Sequence, residues 1–148
     1  MSEFQIVVCE LGGERYGLSI ESVYEIIRLQ PITAVPAAPA FVEGVINLRG
    51  RIIPVVDLAS RFGLQGAART NQSRIVVCEA AGARVGLVVD GVSEVLMVPD
   101  DAVGPTPEVA AGDDADYIRG IAKLGDRLII LLDMGGLFGE SLAAVNAA

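Results

Sequence analysis

The sequence contains the same pattern twice, and this repetition limits the possible folds more than any other feature. Residues 5–27 align without gaps with residues 74–96, and residues 42–63 align with residues 118–139. Pairs of identical residues occur in both blocks: Ile6/Ile75, Val7/Val76, Val8/Val77, Cys9/Cys78, Glu25/Glu94, Gly44/Gly120, Leu48/Leu124, Arg51/Arg127 and Asp57/Asp133. Two blocks that recur in the same order indicate internal duplication, in preference to two halves whose turns converged.

Each half is predicted to be a small all-β unit. Short runs of Val, Ile and Leu end in glycine-containing turns, which is typical of strands joined by hairpins. The predicted hairpin turns lie at matched places in the two halves: 11–14 and 80–83, then 48–51 and 124–127. Asp57 and Asp133 occupy positions where a helix N-cap is expected. Each half should therefore hold about five short strands and a little helix.

The size of each half has a consequence for the whole chain. A unit of roughly 60 to 70 residues without metal or disulfide buries only a marginal core. We therefore expect residues 4–63 and 74–139 to form two barrels that pack as a single domain over residues 1–148, with residues 140–148 as a C-terminal helix or tail. The connectors within the two halves differ, and such differences on a repeated scaffold are where partner specificity is expected.

Composition excludes several functions. The formal net charge of −8 leaves no electrostatic footprint for nucleic acid. No apolar run approaches the roughly 20 residues that cross a bilayer, and Glu3 lies where a signal peptide would be basic. We therefore expect a cytoplasmic protein without direct membrane insertion. Cys9 and Cys78 lie in apolar runs, which favours buried thiols over a disulfide.

The residues that common catalytic sites, phosphate loops and metal sites require are missing from the sequence. Without histidine, neither a Ser-His-Asp nor a Cys-His arrangement can form. Two cysteines do not supply a zinc site, and no glycine-rich phosphate loop occurs. The acidic stretch at residues 113–116 lacks the ligand spacing of a calcium loop. We therefore predict no enzymatic activity, no cofactor and no metal.

Three residues are candidates for binding. Glu25 lies in an apolar run, and Arg49 lies in a predicted hairpin. They are either two surface charges of little energetic value or a pair that presents charge to a partner. Glu25 recurs as Glu94, whereas Arg49 is replaced by Gly125, so the second half forms its hairpin without this arginine. Pro54 replaces Ile130 of the second half and predicts an exposed or irregular strand edge, which either protects that edge or shapes a groove.

At these residues the sequence resembles the CheW-like domains of bacterial chemotaxis coupling proteins. The resemblance runs from about Phe4 to Phe138, and its most specific part is the segment Asn47-Leu48-Arg49-Gly50 with the following Ile53-Pro54-Val55-Val56-Asp57. It implies two SH3-like five-stranded β-barrels, with short helices, packed as one body. It also implies a scaffold between the regulatory domain of a CheA-type histidine kinase and the cytoplasmic tips of methyl-accepting chemotaxis receptors, recruited to membrane arrays by these partners.

The resemblance also assigns roles to residues. Glu25 and Arg49 match the charged pair of the family's interaction surface, Gly44 and Gly50 its hairpin glycines, and Val23 a receptor-groove position. Because a helical receptor tip docks in an apolar groove, we expect apolar residues to line a seam between the barrels. The complete set of candidate receptor- or kinase-binding residues is Val23, Glu25, Ile26, Ile27, Gly44, Asn47, Arg49, Gly50, Pro54, Leu87 and Val88.

Alternatives remain at this point. A coupling protein of a related motility or pilus pathway would have the same sequence features. A β-barrel that binds a small ligand by itself would instead show an enclosed pocket with convergent polar groups. In the second half, Gly104 and Val109 replace basic and aromatic residues that some family members carry, which weakens the assignment of a kinase contact to this loop.

Overall fold

The computed structural model describes residues 2–38, 41–62, 69–80, 82–105 and 118–134, and these are mostly β. The predicted tail at 140–148, the loop from Thr106 to Asp116 and Phe138 lie outside the described residues. The strands are β1 (Glu3–Leu11), β2 (Glu14–Ser19), β3 (Val23–Arg28), β4 (Val42–Leu48), β5 (Arg51–Asp57), β6 (Arg74–Ala80), β7 (Ala83–Val89), β8 (Gly91–Pro99), β9 (Val103–Gly104), β10 (Ile118–Leu124) and β11 (Arg127–Leu132). Short 3-10 turns at Ile20–Ser22 and Asp100–Ala102 and one α-helix, α1 (Leu58–Arg61), complete the described elements.

The strands form two sheets with the same internal plan. The six-stranded barrel has the order β8-β1-β2-β11-β10-β9, and the five-stranded barrel has the order β3-β6-β7-β5-β4. Replacing each strand by its counterpart in the other repeat converts one order into the other. An isolated bridge between Thr33 and Val45 takes the place of β9 in the five-stranded barrel. The predicted class, a mainly β fold of two SH3-like barrels, is confirmed.

The expectation of one barrel per repeat is wrong. β1 and β2 of the first repeat pair with β8 and β11 of the second, while β6 and β7 pair with β3 and β5. The five-stranded barrel is thus the continuous stretch from Val23 to Val89, and the six-stranded barrel combines the strands before and after it. The expectation failed because both repeats offer nearly the same strand faces, so the sequence pattern does not tell which repeat supplies the neighbour of a given strand.

Three buried clusters stabilise this arrangement. One fills the six-stranded barrel: Ile6, Val8, Val98, Ala122, Ile129 and Leu131. A second fills the five-stranded barrel: Ile46, Ile53, Val55, Ile75, Val77 and Val88. A third, larger cluster contains side chains of both repeats, including Val7, Cys9, Val76 and Cys78, and forms a shared core. The predicted interface between the halves is therefore present, and it supplies the apolar burial that each barrel alone would lack.

The shared core explains the uninterrupted apolar runs in the sequence. On β1, Ile6 and Val8 face the interior of the six-stranded barrel, whereas Val7 and Cys9 face the shared core. Strand side chains alternate between faces, so a strand buried on both sides is apolar at every position. β6 repeats this pattern through Ile75 to Cys78.

The hairpin predictions are confirmed. β1 and β2 are joined at Gly12 and Gly13, and Gly82 lies in the matching turn; each of these glycines has a positive φ. The short helix α1 begins directly after Asp57, as expected, although the Asp57 side chain makes no capping hydrogen bond. No helix within the described residues is long and apolar enough to cross a membrane.

Candidate protein-interaction site

Arg49 and Glu25 form an ion pair with two contacts. Nη1 of Arg49 donates to Oε1 of Glu25, and Nη2 donates to Oε2 at 2.9 Å. The parallel geometry fixes the guanidinium plane more firmly than a single contact would. The Arg49 side chain is 69% exposed, whereas that of Glu25 is 20% exposed. The pair therefore presents a charged, oriented arginine to solvent over a carboxylate that is largely covered.

The electrostatics of the pair agree with its geometry. The hydrogen bond from Arg49 lowers the pKa of Glu25 below its ordinary value, and the charge of Arg84 adds to this effect. Arg49 in turn has a raised pKa, first because of its hydrogen bond to Glu25. Both groups are consequently charged at neutral pH.

The hairpin between β4 and β5 holds Arg49 in place. Arg49 and Gly50 both have positive φ, 52° and 84°, as a two-residue turn of the primed type requires. Asn47 contributes from the preceding strand, because its Oδ1 accepts a hydrogen bond from the amide of Gly50 at 3.0 Å. Asn47 and Gly50 thus act on the proposed site by shaping the turn that presents Arg49.

The second repeat contains an equivalent ion pair that sequence reasoning missed. Arg127 Nη1 donates to Oε1 of Glu94, the counterpart of Glu25. Gly125 takes the turn position of Arg49 with nearly the same φ, 62°. The second half thus forms its hairpin without a counterpart of Arg49, as inferred from the sequence, but its ion pair uses an arginine two residues further along the chain. Identity of Glu25 with Glu94 was the available signal, but the partner depends on strand register.

Gly44 allows two segments of backbone to approach each other closely. A Cβ atom at this position would lie 2.1 Å from the carbonyl oxygen of Thr33, which is far too close. Thr33 and Val45 exchange two backbone hydrogen bonds of 2.8 and 2.9 Å beside it. Gly44 therefore lets the proline-rich connector pass directly against β4, and its contribution to the site is structural.

The prediction that Pro54 marks an exposed edge is wrong. Pro54 is buried on β5, which lies between β4 and β7. Val45 lies opposite Pro54 on β4, and its backbone N–H and carbonyl are both hydrogen-bonded to Thr33. Val45 and Pro54 are therefore a non-hydrogen-bonded pair of the antiparallel ladder, and proline loses no bond on this side. On the other side, the parallel pairing with β7 begins one residue later, at Val55. In the second repeat the matching pairing begins at Ile130 itself. The proline thus shortens the pairing of β5 with β7 by one residue pair.

The predicted groove residues divide into three groups. Ile26 is 39% exposed on the outer side of β3. Val23 and Ile27 are half-buried and pack against the shared core and the five-stranded barrel core. Leu87 and Val88 are buried inside those same cores, so they cannot line a surface groove. Ile26 is therefore the accessible apolar member of the predicted set.

Two residues near the ion pair were not singled out by sequence reasoning. The guanidinium carbon of Arg84 lies 3.8 Å from the centroid of the Tyr24 ring. Nε of Arg84 also donates to Oε1 of Glu79 at 3.2 Å. Tyr24 directly precedes Glu25, and about half of its surface is exposed. No sequence signal connected these positions, because Arg84 belongs to the other repeat.

The two cysteines are buried and free, as expected. Burial raises the pKa of the Cys9 thiol to about 12 and raises that of Cys78 as well. Such thiols are neutral and inert at neutral pH. Among the described residues, no group of three or more His, Cys, Asp or Glu side chains is arranged to hold a metal ion.

Two depressions in the part of the surface that the structure describes open to solvent. One of about 400 Å³ lies between Arg28, Arg74 and the loop at Thr70 to Ser73, and another of about 510 Å³ lies beside β9 and β10. The interiors of both barrels are filled by the side chains of their own cores. This arrangement favours contact through an outer surface over a ligand enclosed in a barrel.

Comparisons with known proteins agree over nearly the full chain. Residues 5–141 match the family model described as CheW-like domain. A probable chemotaxis protein CheW of Rhizobium etli is 38% identical over 93% of this chain and 88% of its own length. The crystal structure of the scaffolding protein TtCheW from Thermoanaerobacter tengcongensis has a TM-score of 0.85 and 42% identity, covering 93% of this chain and 89% of the other. Protein FrzA of Myxococcus xanthus is 32% identical over 76% of this chain and 70% of its own length.

Proposed function

Because this chain belongs to the family of CheW-like domains, we propose that it is a non-enzymatic scaffold that couples methyl-accepting chemotaxis receptors to a CheA-type histidine kinase. The observation that carries the proposal is the match at residues 5–141, which includes both repeats and the Arg49 hairpin. Relatives that match at similar coverage bear the name chemotaxis protein CheW, and one solved relative is titled a scaffolding protein.

The chemistry of the described residues supports a role in assembly. The solvent-facing side of the site consists of an oriented guanidinium, an aromatic ring and an aliphatic side chain: Arg49, Tyr24 and Ile26. Arginine and tyrosine are enriched where protein interfaces gain most of their energy, because they combine a polar group with a large apolar area. No nucleophile with an adjacent base is present in this set. The function proposed for the site is therefore binding and not turnover.

The partners follow from the same proposal. The regulatory domain of the kinase and the cytoplasmic hairpin tip of the receptors are the two surfaces that the scaffold would join. These partners place the protein in the cytoplasm at receptor arrays. Coupling in a related motility or pilus pathway is the second candidate function. The match to protein FrzA, whose name does not mention chemotaxis, supports this candidate.

Reconstitution from purified components tests the proposal. The chain is mixed with the kinase and with the cytoplasmic fragment of a receptor from the same genome, and kinase autophosphorylation is followed with and without the chain. We expect a three-component complex by size-exclusion chromatography and a rate that rises only when all three are present. Failure to bind either partner would refute the scaffold. Assembly only with components of a pilus or motility operon would favour the second candidate.

A further inference from the structure

The two repeats differ in chemistry around one glutamate that they share. Glu25 and Glu94 are identical in the alignment, but the preceding residue is Tyr24 in the first repeat and Ser93 in the second. The hairpin tip beside them carries Arg49 in one case and Gly125 in the other. Such a difference beside a shared residue of a duplicated scaffold is a place where the two barrels can acquire different tasks.

Tyr24 owes its outward position to a β-bulge. The pairing of β3 with β6 shifts between Val23 and Glu25, so Tyr24 is the extra residue opposite β6. The pairing of β8 with β1 shifts at the same place, which makes Ser93 the extra residue there. Tyr24 is 48% exposed, whereas the Ser93 hydroxyl donates to the carbonyl of Val8 at 3.4 Å. The same β-bulge thus presents an exposed aromatic ring on one barrel and a hydrogen-bonded hydroxyl on the other.

Arg84 is the residue that holds the ring. Its guanidinium carbon lies 3.8 Å from the ring centroid, a distance at which a cation and an aromatic face attract each other. Glu79, directly opposite on β6, accepts from Nε of Arg84 and fixes the other side of the guanidinium. The Arg84 side chain is only 21% exposed. Its position is therefore determined by Tyr24 and Glu79 rather than by solvent.

These contacts connect to the ion pair. Arg84 lies close enough to Glu25 to help keep it ionised, after the larger effect of Arg49. Tyr24 is in turn close enough to Arg49 to contribute to its raised pKa, after the larger effect of Glu25. Tyr24, Glu25, Arg49 and Arg84 thus form one connected cluster. Three of its members come from the first repeat and the fourth from the second.

We propose that Arg84 is a positioning residue of this interaction surface: by stacking on Tyr24, it holds the ring beside the Glu25–Arg49 pair and determines the shape that the partner of Arg49 meets. This inference rests on the proposed scaffold function. The surface then needs residues of both repeats, which the exchange of strands brings together in the five-stranded barrel. Binding affinity should depend on Arg84 even though its own side chain is mostly covered.

The test compares Arg84→Gln with Arg15→Gln. Arg15 is the aligned residue on β2 of the six-stranded barrel, where the bulge residue is Ser93. Titration calorimetry with the kinase regulatory domain and with a cytoplasmic receptor fragment first identifies the partner whose affinity falls on mutation of Arg49, and that affinity is the one compared. We expect Arg84→Gln to weaken that affinity by roughly fivefold, as the loss of one cation–π contact implies, and Arg15→Gln to leave it unchanged. Arg84→Lys should restore most of the affinity, because a lysine keeps the charge over the ring.

A double-mutant cycle separates positioning from general destabilisation. Once Tyr24 is replaced by Ser, the further change Arg84→Gln should cost little more affinity, since the ring that it holds is gone. Ring signals of Tyr24 in NMR spectra should broaden or shift in Arg84→Gln while those of Tyr16 stay unchanged. Additive losses in the cycle, or wild-type affinity in Arg84→Gln, would overturn the inference alone. A wild-type chain that binds neither partner would overturn the scaffold function and the inference with it.

Discussion

Glu25 lies on β3, at one edge of the five-stranded sheet, and Arg49 lies in the hairpin of β4 and β5 at the other edge. Their ion pair therefore joins the two ends of the barrel. Glu94 on β8 and Arg127 on β11 make the corresponding link in the six-stranded barrel. The two links differ in where the arginine originates: a turn tip that projects into solvent in one case, and the first residue of a strand in the other.

The first prediction separates folding from binding at Arg49. Arg49→Gly removes the ion pair but keeps a residue that accepts the positive φ of this turn, as Gly125 does in the second repeat. We expect the melting temperature to stay within about 2 °C of wild type, because an exposed pair contributes little to stability. Affinity for kinase or receptor should nevertheless fall, as measured by calorimetry.

Arg127→Ala is the matched control for Arg49→Gly. It removes the equivalent ion pair of the other barrel and should leave the affinity intact. If Arg49→Gly melts well below wild type while its folded fraction binds normally, the Arg49–Glu25 pair is structural and the assignment to an interaction surface is wrong.

The second prediction concerns the exposed apolar side of β3. Ile26→Lys places a charge on a side chain that already faces solvent, so the fold should persist. A helical receptor tip that docks through an apolar face would lose its contact, whereas binding of the kinase should survive. Pull-down with a receptor fragment and with the kinase regulatory domain measures the two affinities separately.

Val95 occupies the position of Ile26 on β8 and is 49% exposed. Val95→Lys therefore controls for the general effect of a new charge on an edge strand. Equal loss of receptor binding in both variants would mean that the receptor does not discriminate the two barrels. Loss of both partners together in Ile26→Lys would place the receptor groove elsewhere.

The third prediction concerns Gly44, which was a candidate for partner contact. Gly44→Ala would bring a methyl group within 2.1 Å of the Thr33 carbonyl oxygen, so the connector must move. We expect a loss of more than about 2 kcal/mol in the free energy of unfolding, measured by urea denaturation. Gly104→Ala is the control, because a Cβ atom there meets no atom within 4 Å. Comparable stability of the two variants would contradict the close approach.

The fourth prediction concerns alkaline pH. Cys9 and Cys78 keep their protons in the folded protein well above the pH at which an unfolded thiol ionises, near 8.5. Between pH 8.5 and 10 the unfolded chain thus binds fewer protons, and stability falls as pH rises. Each thiol should contribute at most about 1.4 kcal/mol per pH unit.

Urea denaturation at pH 7 to 10 measures this slope. Cys9→Ala lowers stability at every pH by leaving a cavity, but it should reduce the dependence on pH because only one buried thiol remains. The range below pH 10 also avoids most of the titration of Tyr16, whose pKa is likewise raised by burial. An unchanged slope in Cys9→Ala would contradict burial of this thiol as the cause.

The strands and hairpins could be predicted because their signals are local. Glycine turns at Gly12, Gly82 and Gly125 are readable from a few residues, and so are the apolar runs between them. The exchange of strands was not readable, because Val76 of one repeat and Val7 of the other offer the same face to a neighbour. The apolar pattern of such a strand is equally compatible with a place in either barrel.

The errors at the site have the same origin. Leu87 and Val88 lie in an apolar run that is buried on both sides, and an apolar run by itself does not tell burial from an exposed groove. Pro54 suggested an edge because proline has no backbone N–H to donate. An interior strand tolerates it here because Pro54 and Val45 form a pair without hydrogen bonds. Arg127 and Arg84 find their partners through strand register, which becomes visible only when both repeats are in place.

The exchanged strands also decide the order in which the chain can fold as it leaves the ribosome. The five-stranded barrel runs continuously from Val23 to Val89 and can close once that stretch has emerged. β1 and β2 are synthesised first, yet their neighbours β8 and β11 come last. The first strands must wait, with apolar faces exposed, until β8 and β11 have been synthesised. A nascent chain stalled before β8 should accordingly hold one formed barrel and one uncovered hairpin, the segment most in need of a chaperone.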